Sequence, residues 1–235
     1  MTGDRQRIAV ALREPLPWRD FVQLATTAEE TGYEAMFVPE SAGREGFSTL
    51  AALAPVTSTL RLGTGVAAMT SRTAQATAMA GATVQELSGG RMILGLGAGL
   101  ERSLRAVRAY VDGVRGAELA FDPGERPPIW LAALGDGMVR LGAEVADGIL
   151  LNWCTPERVA RARKTLSSAA EAAGRDPAAL TLAVYIRACL EPEEDVAVAA
   201  LGRQAQTYAA LPHYRRQLES MGLRSEAKAA AETDS

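Results

Sequence analysis

Cysteine and histidine are scarce: two Cys and one His in 235 residues. Cys154 and Cys189 stand alone, with no C-x-x-C pair and no histidine at ligand spacing, which excludes a zinc site and a disulfide framework. The expectation is no metal and a reduced, cytoplasmic setting. His213, the lone histidine, falls in the last amphipathic helix and reads as a surface residue. Long apolar runs are also missing. Nothing approaches the ~18 residues a membrane span requires, and the opening "MTGDRQRIAVALREPLPW" carries charges where a signal peptide would carry its apolar core. Nor is there an excess of one charge. The 25 basic and 28 acidic residues give −3 with no basic cluster, which argues against nucleic acid or an anionic membrane as partner.

What the chain does have is alternation. Short apolar runs, read as parallel strands, each precede a segment of helical period. They are Arg7 to Glu14, Tyr33 to Glu40, Leu60 to Ala67, Arg91 to Gly97, Pro128 to Leu134, Gly148 to Asn152 and Thr181 to Leu190. The pattern predicts an α/β fold, a TIM-like (β/α) barrel of about seven units in one domain over 1–222. An eighth strand is missing, and residues 223–235 read as a polar tail without order. The first helix follows "PLP", with Phe21, Leu24, Ala25 and Ala28 at helical steps and Gly32 beyond its end. The clearest helix has Thr155 as N-cap, Pro156 at N1 and Gly174 past its end.

"LRLGTGVAAM" (Leu60 to Met69) fits the dinucleotide fingerprint G-x-G-x-x-G/A. Its setting does not fit. The motif lies in the third unit, the next helix opens only near Thr73, and Glu86 sits at a helix end where the fingerprint needs an acid at a strand end. A nicotinamide-linked Rossmann dehydrogenase therefore has weak support. Gly65, Gly97, Gly99, Gly135 and Gly137 all map to C-terminal strand ends, the rim that carries the active site of a barrel. Each alone is equally well read as a turn glycine.

Three segments, "GYEAMFVPESAGREGFSTLAALAPVTSTLRLGTGV", "ATVQELSGGRMILGLGAG" and "RPPIWLAALGDGMVRLGAEVADGILLNWCTPE", together resemble the bacterial luciferase-like superfamily. The resemblance is to its branch of oxidoreductases that use the deazaflavin coenzyme F420. It implies a barrel whose third strand ends in a bulge, usually with a non-prolyl cis peptide, against which the ring of F420, or alternatively of FMN, leans. That bulge maps to Gly65 and Val66. The resemblance further implies cofactor contacts at Gly97, Ala133, Gly135, Asp136, Gly137, Asn152, Trp153 and Thr155. The reaction it implies is hydride transfer to or from a small organic substrate, or oxygen activation with FMN.

This sequence also departs from the family pattern. Many relatives carry a histidine just after the second strand; here "VPESAG" leaves Glu40 followed by Ser41. Glu40 could serve as the acid or base, or could simply bond neighbouring backbone amides. Arg72 and Arg102 are rim arginines able to meet a phosphate or remain solvated. Two loops are shorter than in full-length relatives. A shortened relative implies that an incomplete barrel can persist as a homodimer, and a non-catalytic ligand-binding relative is the alternative reading.

Overall fold

The computed structural model describes residues 7–12, 16–40, 43–99 and 103–232, with side chains through 230. The C-terminal part of the first expected strand, Ser41 and Arg102 lie outside the described residues. Two compact units form, one from 1–132 with 145–148 and one from 133–144 with 149–235, where the sequence suggested one domain.

In the first unit β1 (Ala9–Ala11), β2 (Ala35–Val38), β3 (Arg61–Thr64), β4 (Ala67–Ala68), β5 (Met92–Gly97) and β6 (Ile129–Ala132) form parallel pairs. Their order is β1-β2-β3-β5-β6, with β4 beside β5 as the continuation of the third strand position. Helices α1 (Trp18–Glu30), α2 (Gly46–Leu53), α3 (Ala74–Leu87) and α4 (Leu104–Arg115) fill the crossovers that parallel pairing demands. Strands β2 and β5 are buried along their whole length, as continuous apolar runs in parallel sheets require. Helix α1 buries Phe21, Ala25 and Ala28, whereas Leu24, expected on the same face, is exposed.

The second unit carries α5 (Asp136–Val145), β7 (Gly148–Asn152), α6 (Pro156–Ala172), β8 (Thr181–Tyr185), α7 (Glu194–Ala209), α8 (Pro212–Ser220) and α9 (Arg224–Glu232). Thr155 caps α6 by accepting from the Arg158 N–H, as expected. Strand β8 stops at Tyr185, short of the expected Leu190. Ile186 and Leu190 beyond it are 81% and 96% exposed, so no second layer holds that stretch extended. Among the described residues no strand follows β8. The described residues thus form a TIM-like (β/α) fold with seven strand positions. Where an unordered tail was expected, α9 forms: its sequence is rich in alanine, the best helix former, and Ala227 is buried.

The entry to β3 depends on one acidic residue. The Glu29 carboxylate accepts from the N–H groups of Ser58, Thr59 and Leu60 and from the Thr59 hydroxyl. Partial burial raises its pKa, but these four donors prevail and bring it down to about 2 from 4.5. A carboxyl depressed on folding stabilises the native state above its unfolded pKa, and that contribution is lost as pH falls from 4.5 towards 2. Glu29→Gln is expected to lower the thermal midpoint at pH 7 and to flatten the acid limb of the stability profile over that window. Thermal melts across pH check both.

Candidate functional site

In the first unit, β3 breaks at Thr64 and the chain resumes as β4 at Ala67. Between them the Gly65–Val66 peptide bond is cis, where the resemblance implied one. Both sides of this bulge are held by the end of β2. The Gly65 N–H donates to the Val38 carbonyl at 2.8 Å, and the Val66 carbonyl accepts from the Glu40 N–H at 3.3 Å. Thr64, fully buried, ties its hydroxyl to the Gly95 carbonyl at 2.7 Å. Two glycines leave room for bulk elsewhere. A Cβ on Gly63 would lie 2.5 Å from the Phe37 ring, and one on Gly97 would lie 2.5 Å from Val66 Cγ2. Gly63 is therefore a packing glycine and not the first glycine of a pyrophosphate turn. Helix α3 opens at Ala74, capped by Thr73, well past the motif. The dinucleotide reading has no structural counterpart.

The Glu40 side chain is largely buried, and both its carboxylate oxygens are engaged. Oε1 accepts from the Gly46 N–H at 3.0 Å and Oε2 from Arg72 at 2.6 Å. Arg72 also bonds Glu45 and lies over the Phe47 ring at 4.9 Å, so its guanidinium is committed to carboxylates rather than open to a phosphate. Glu45 caps α2. Burial pushes its carboxyl up, but hydrogen bonds from Ser48 and Phe47 more than reverse this and leave it below the usual range. Tyr110 donates to the Arg72 carbonyl at 3.1 Å and shares a 2.6 Å bond with Thr77, and burial raises its phenol.

In the second unit, Ala133 is fully buried and donates its N–H to the Leu150 carbonyl at 2.9 Å. Gly135 precedes α5, and its carbonyl accepts from the Met138 and Val139 N–H groups. A Cβ there would meet nothing within 4 Å, so the turn faces open space. The first N–H groups of α5, from Asp136 and Gly137, make a helix N-terminus of the kind that receives phosphate. The Asp136 side chain is engaged in ion pairs, with Oδ1 2.8 Å from Arg158 Nη1, whose side chain is 1% exposed, and Oδ2 3.7 Å from Arg161. Arg158 also donates to the Leu134 carbonyl at 3.0 Å, so it ties the 134–136 turn to α6.

The end of β7 joins a cluster that the sequence did not reveal. Asn152 donates to the Tyr214 hydroxyl at 2.8 Å. Gln217 Nε2 donates to the Asn152 and Trp153 carbonyls at 2.7 and 3.0 Å. Trp153 has φ of 53°, a left-handed backbone rarely adopted by a bulky residue. Its ring lies 5.3 Å from that of Tyr208, which meets Tyr214 edge-on at 4.7 Å. Arg187 stacks against Trp153, Tyr208 and Tyr185 at 5.1, 5.3 and 5.9 Å. Burial raises the phenols of Tyr185 and Tyr214, the latter to about 12, and likewise the thiol of Cys154, which is then no thiolate nucleophile. His213, expected on the helix surface, is half-buried and packs its ring against Tyr214 at 4.8 Å.

Residues 4–108 and 104–234 match the luciferase-like monooxygenase family, which accounts for nearly the whole chain. The chain belongs to that family. Among its curated members, a 5,10-methylenetetrahydromethanopterin reductase of Methanolobus tindarius is 33% identical over 77% of this chain and 64% of its own length. One from Archaeoglobus fulgidus is 30% identical over 72% and 60%. The chain thus spans less than two thirds of the length of these luciferase-like relatives. The solved coenzyme F420-dependent tetrahydromethanopterin reductase of Methanopyrus kandleri shares the fold with a TM-score of 0.72 at 18% identity, covering 96% of this chain and 83% of that one. An F420-dependent secondary alcohol dehydrogenase superposes with a TM-score of 0.73 at 16% identity, over 86% and 76% of the two chains. No helix among the described residues is long and apolar enough to cross a membrane.

Proposed function

We propose that this chain is an oxidoreductase that transfers hydride between coenzyme F420 and a small organic substrate. The observation that carries the reading is the Gly65–Val66 bulge, held by Val38 and Glu40 at the third strand position, where the resemblance seats the ring. Support also comes from the relatives, among them a putative coenzyme F420-dependent oxidoreductase of Mycobacterium tuberculosis, 31% identical over 60% of this chain and 53% of its own length. The residues present fit such a cofactor. Gly135, with open space where a Cβ would stand, precedes the free N–H groups of a ten-residue helix, a fitting receiver for a phosphate. FMN is the alternative cofactor, since solved luciferase-like proteins with FMN share the fold.

When bound, the deazaflavin ring supplies the hydride chemistry. The chain's own residues bind and orient. The bulge at Gly65 and Val66 would support the ring, while Gly97 gives the Val66 side chain its place. Backbone of Ala133, Gly135, Asp136 and Gly137 and the Thr155 cap would hold the phosphate-bearing side chain of the cofactor, with Asn152 and Trp153 as further contacts. The Asp136 carboxylate acts indirectly, through Arg158. Glu40 shares its carboxylate between Gly46 and Arg72. It orients the bulge through its N–H, and it takes the acid or base role only by exchanging the Arg72 contact for a substrate proton.

Among the described residues the strand order begins at β1, whose pairing is with β2, an edge that a second copy could cover. A cytoplasmic homodimer follows from this reading. Titrating the purified chain with F420, FMN and NADPH by intrinsic fluorescence tests the function, and its mass in solution tests the dimer. Saturation by F420 at lower concentration than FMN, with no response to NADPH, is expected. Saturation by neither F420 nor FMN would end the proposal.

A further inference from the structure

Arg187 holds an unbalanced positive charge. Its guanidinium sits among the rings of Trp153, Tyr208 and Tyr185, with one bond to the Tyr208 hydroxyl at 3.3 Å. Among the described residues no carboxylate lies within ion-pair distance of it. By contrast Arg72, Arg115 and Arg158 each have an acidic partner at 2.8 Å or less, and Arg91 spends its guanidinium on the carbonyls of Leu60, Ala54, Thr57 and Ser88. Stacking on aromatic faces leaves the edge of the guanidinium, with its remaining N–H donors, free for a planar or tetrahedral oxyanion. The side chain is only half-buried, so a ligand can reach that edge.

A second donor beside it is also idle. Trp153 Nε1 is buried and has no acceptor, although indole N–H groups in protein interiors nearly always find one. The backbone holding that ring is in the left-handed region, an arrangement a tryptophan adopts only when its surroundings impose it. Here the imposing group is visible. Gln217, 4% exposed, uses its Nε2 to bind the carbonyls on both sides of the Trp153 α-carbon. Tyr185 and Tyr214, like any phenol, are neutral at pH 7, and burial pushes both further from ionisation, so no competing negative charge forms in the cluster. A strained, clamped tryptophan, an unsatisfied buried donor and an unpaired arginine thus meet at the ends of β7 and β8.

We propose that Arg187 and Trp153 form an oxyanion-binding site, which takes a carboxylate or phosphate carried by the substrate. The guanidinium edge supplies charge and two parallel donors, and the indole N–H supplies a third from a fixed direction. The assignment to substrate rests on the oxidoreductase reading; the oxyanion site itself does not. It narrows the substrate to small organic acids or phosphate esters.

The test uses the full chain, with inorganic phosphate and acetate as probes and chloride at matched ionic strength as control. Wild type is expected to show saturable fluorescence change with phosphate or acetate and none with chloride. Arg187→Met is expected to weaken that binding at least tenfold, and Arg187→Lys, which keeps the charge on the rings, to retain a larger share. F420 titrated against the same variants identifies the source of the anion. Unchanged F420 affinity in Arg187→Met supports a substrate anion, whereas a parallel tenfold loss would give the site to the cofactor and overturn the substrate assignment. Failure of wild type to bind F420 while phosphate binding persists would sink the cofactor reading and leave the oxyanion site standing. Equal probe binding by wild type, Arg187→Met and Arg187→Lys would overturn the site, as would no saturable binding in wild type. Should Arg187→Met fail to fold, the Arg187→Lys titration and its comparison with wild type decide the matter.

Discussion

Gly97→Ala is expected to weaken F420 binding by about tenfold, roughly 1.4 kcal/mol, and to destabilise the first unit. The new methyl would stand 2.5 Å from Val66 Cγ2, far inside van der Waals contact. A flexible side chain could swing aside, but valine is branched at Cβ and has few χ1 options. Its backbone has little freedom either, since its carbonyl is bonded to the Glu40 N–H and the preceding Gly65 N–H to Val38. Overpacking at such a position typically costs ~1–3 kcal/mol. Thermal denaturation measures the stability loss and fluorescence titration the affinity. The double variant Gly97→Ala with Val66→Ala removes the clash and should recover much of the lost stability, a coupling that a double-mutant cycle reads directly.

Asp136→Ala is expected to destabilise the second unit more than Arg158→Met does. Removing the carboxylate leaves a guanidinium 1% exposed without its anion, held by the Leu134 carbonyl at 3.0 Å. Losing one partner of a buried ion pair costs about 3–5 kcal/mol, and the low end applies because Asp136 is 35% exposed. Arg158→Met instead puts an apolar chain of similar length into a buried slot. The carboxylate left behind can be solvated and keeps Arg161 at 3.7 Å. About 1–2 kcal/mol is expected there, mainly from the unmet Leu134 carbonyl. Urea denaturation of the two variants gives the order, and equal losses would show that the pair is not the source of the effect.

The strand positions were legible because buried parallel strands read as continuous apolar runs, and β2, β5 and β7 do so without interruption. Thr155 was legible as a cap, its hydroxyl accepting a first-turn N–H, and the start of α3 near Thr73 was legible too. The bulge was legible through the resemblance of its flanking segments, since two glycines after "LR" are compatible with several turns. Less visible was what long-range packing decides. At Gly97 an added Cβ would meet Val66, a contact that no local pattern announces. Arg187 was read as part of a strand, and Gln217 as one polar residue of an amphipathic helix. Gln217 gains its partners from the return of α8 onto the end of β7, and Arg187 its rings from Trp153, Tyr185 and Tyr208; no local pattern encodes either. Helix α9 was missed for a different reason. Its alanines signalled helix, but the burial of Ala227 that anchors it comes from α7 and α8.

Glu40 illustrates the limit of reasoning from residue type. A glutamate after the second strand invites an acid/base role, but its oxygens prove to be held by Gly46 and Arg72. Separately from those contacts, its backbone N–H donates to the Val66 carbonyl in the bulge.

The central claim is that the bulge after β3 supports the ring of F420. Hydrogen exchange of backbone amides, followed with and without saturating F420, tests it most directly. Protection at residues 65–68 is the predicted result. Bound F420 that leaves this segment exchanging as in the free protein would contradict the account.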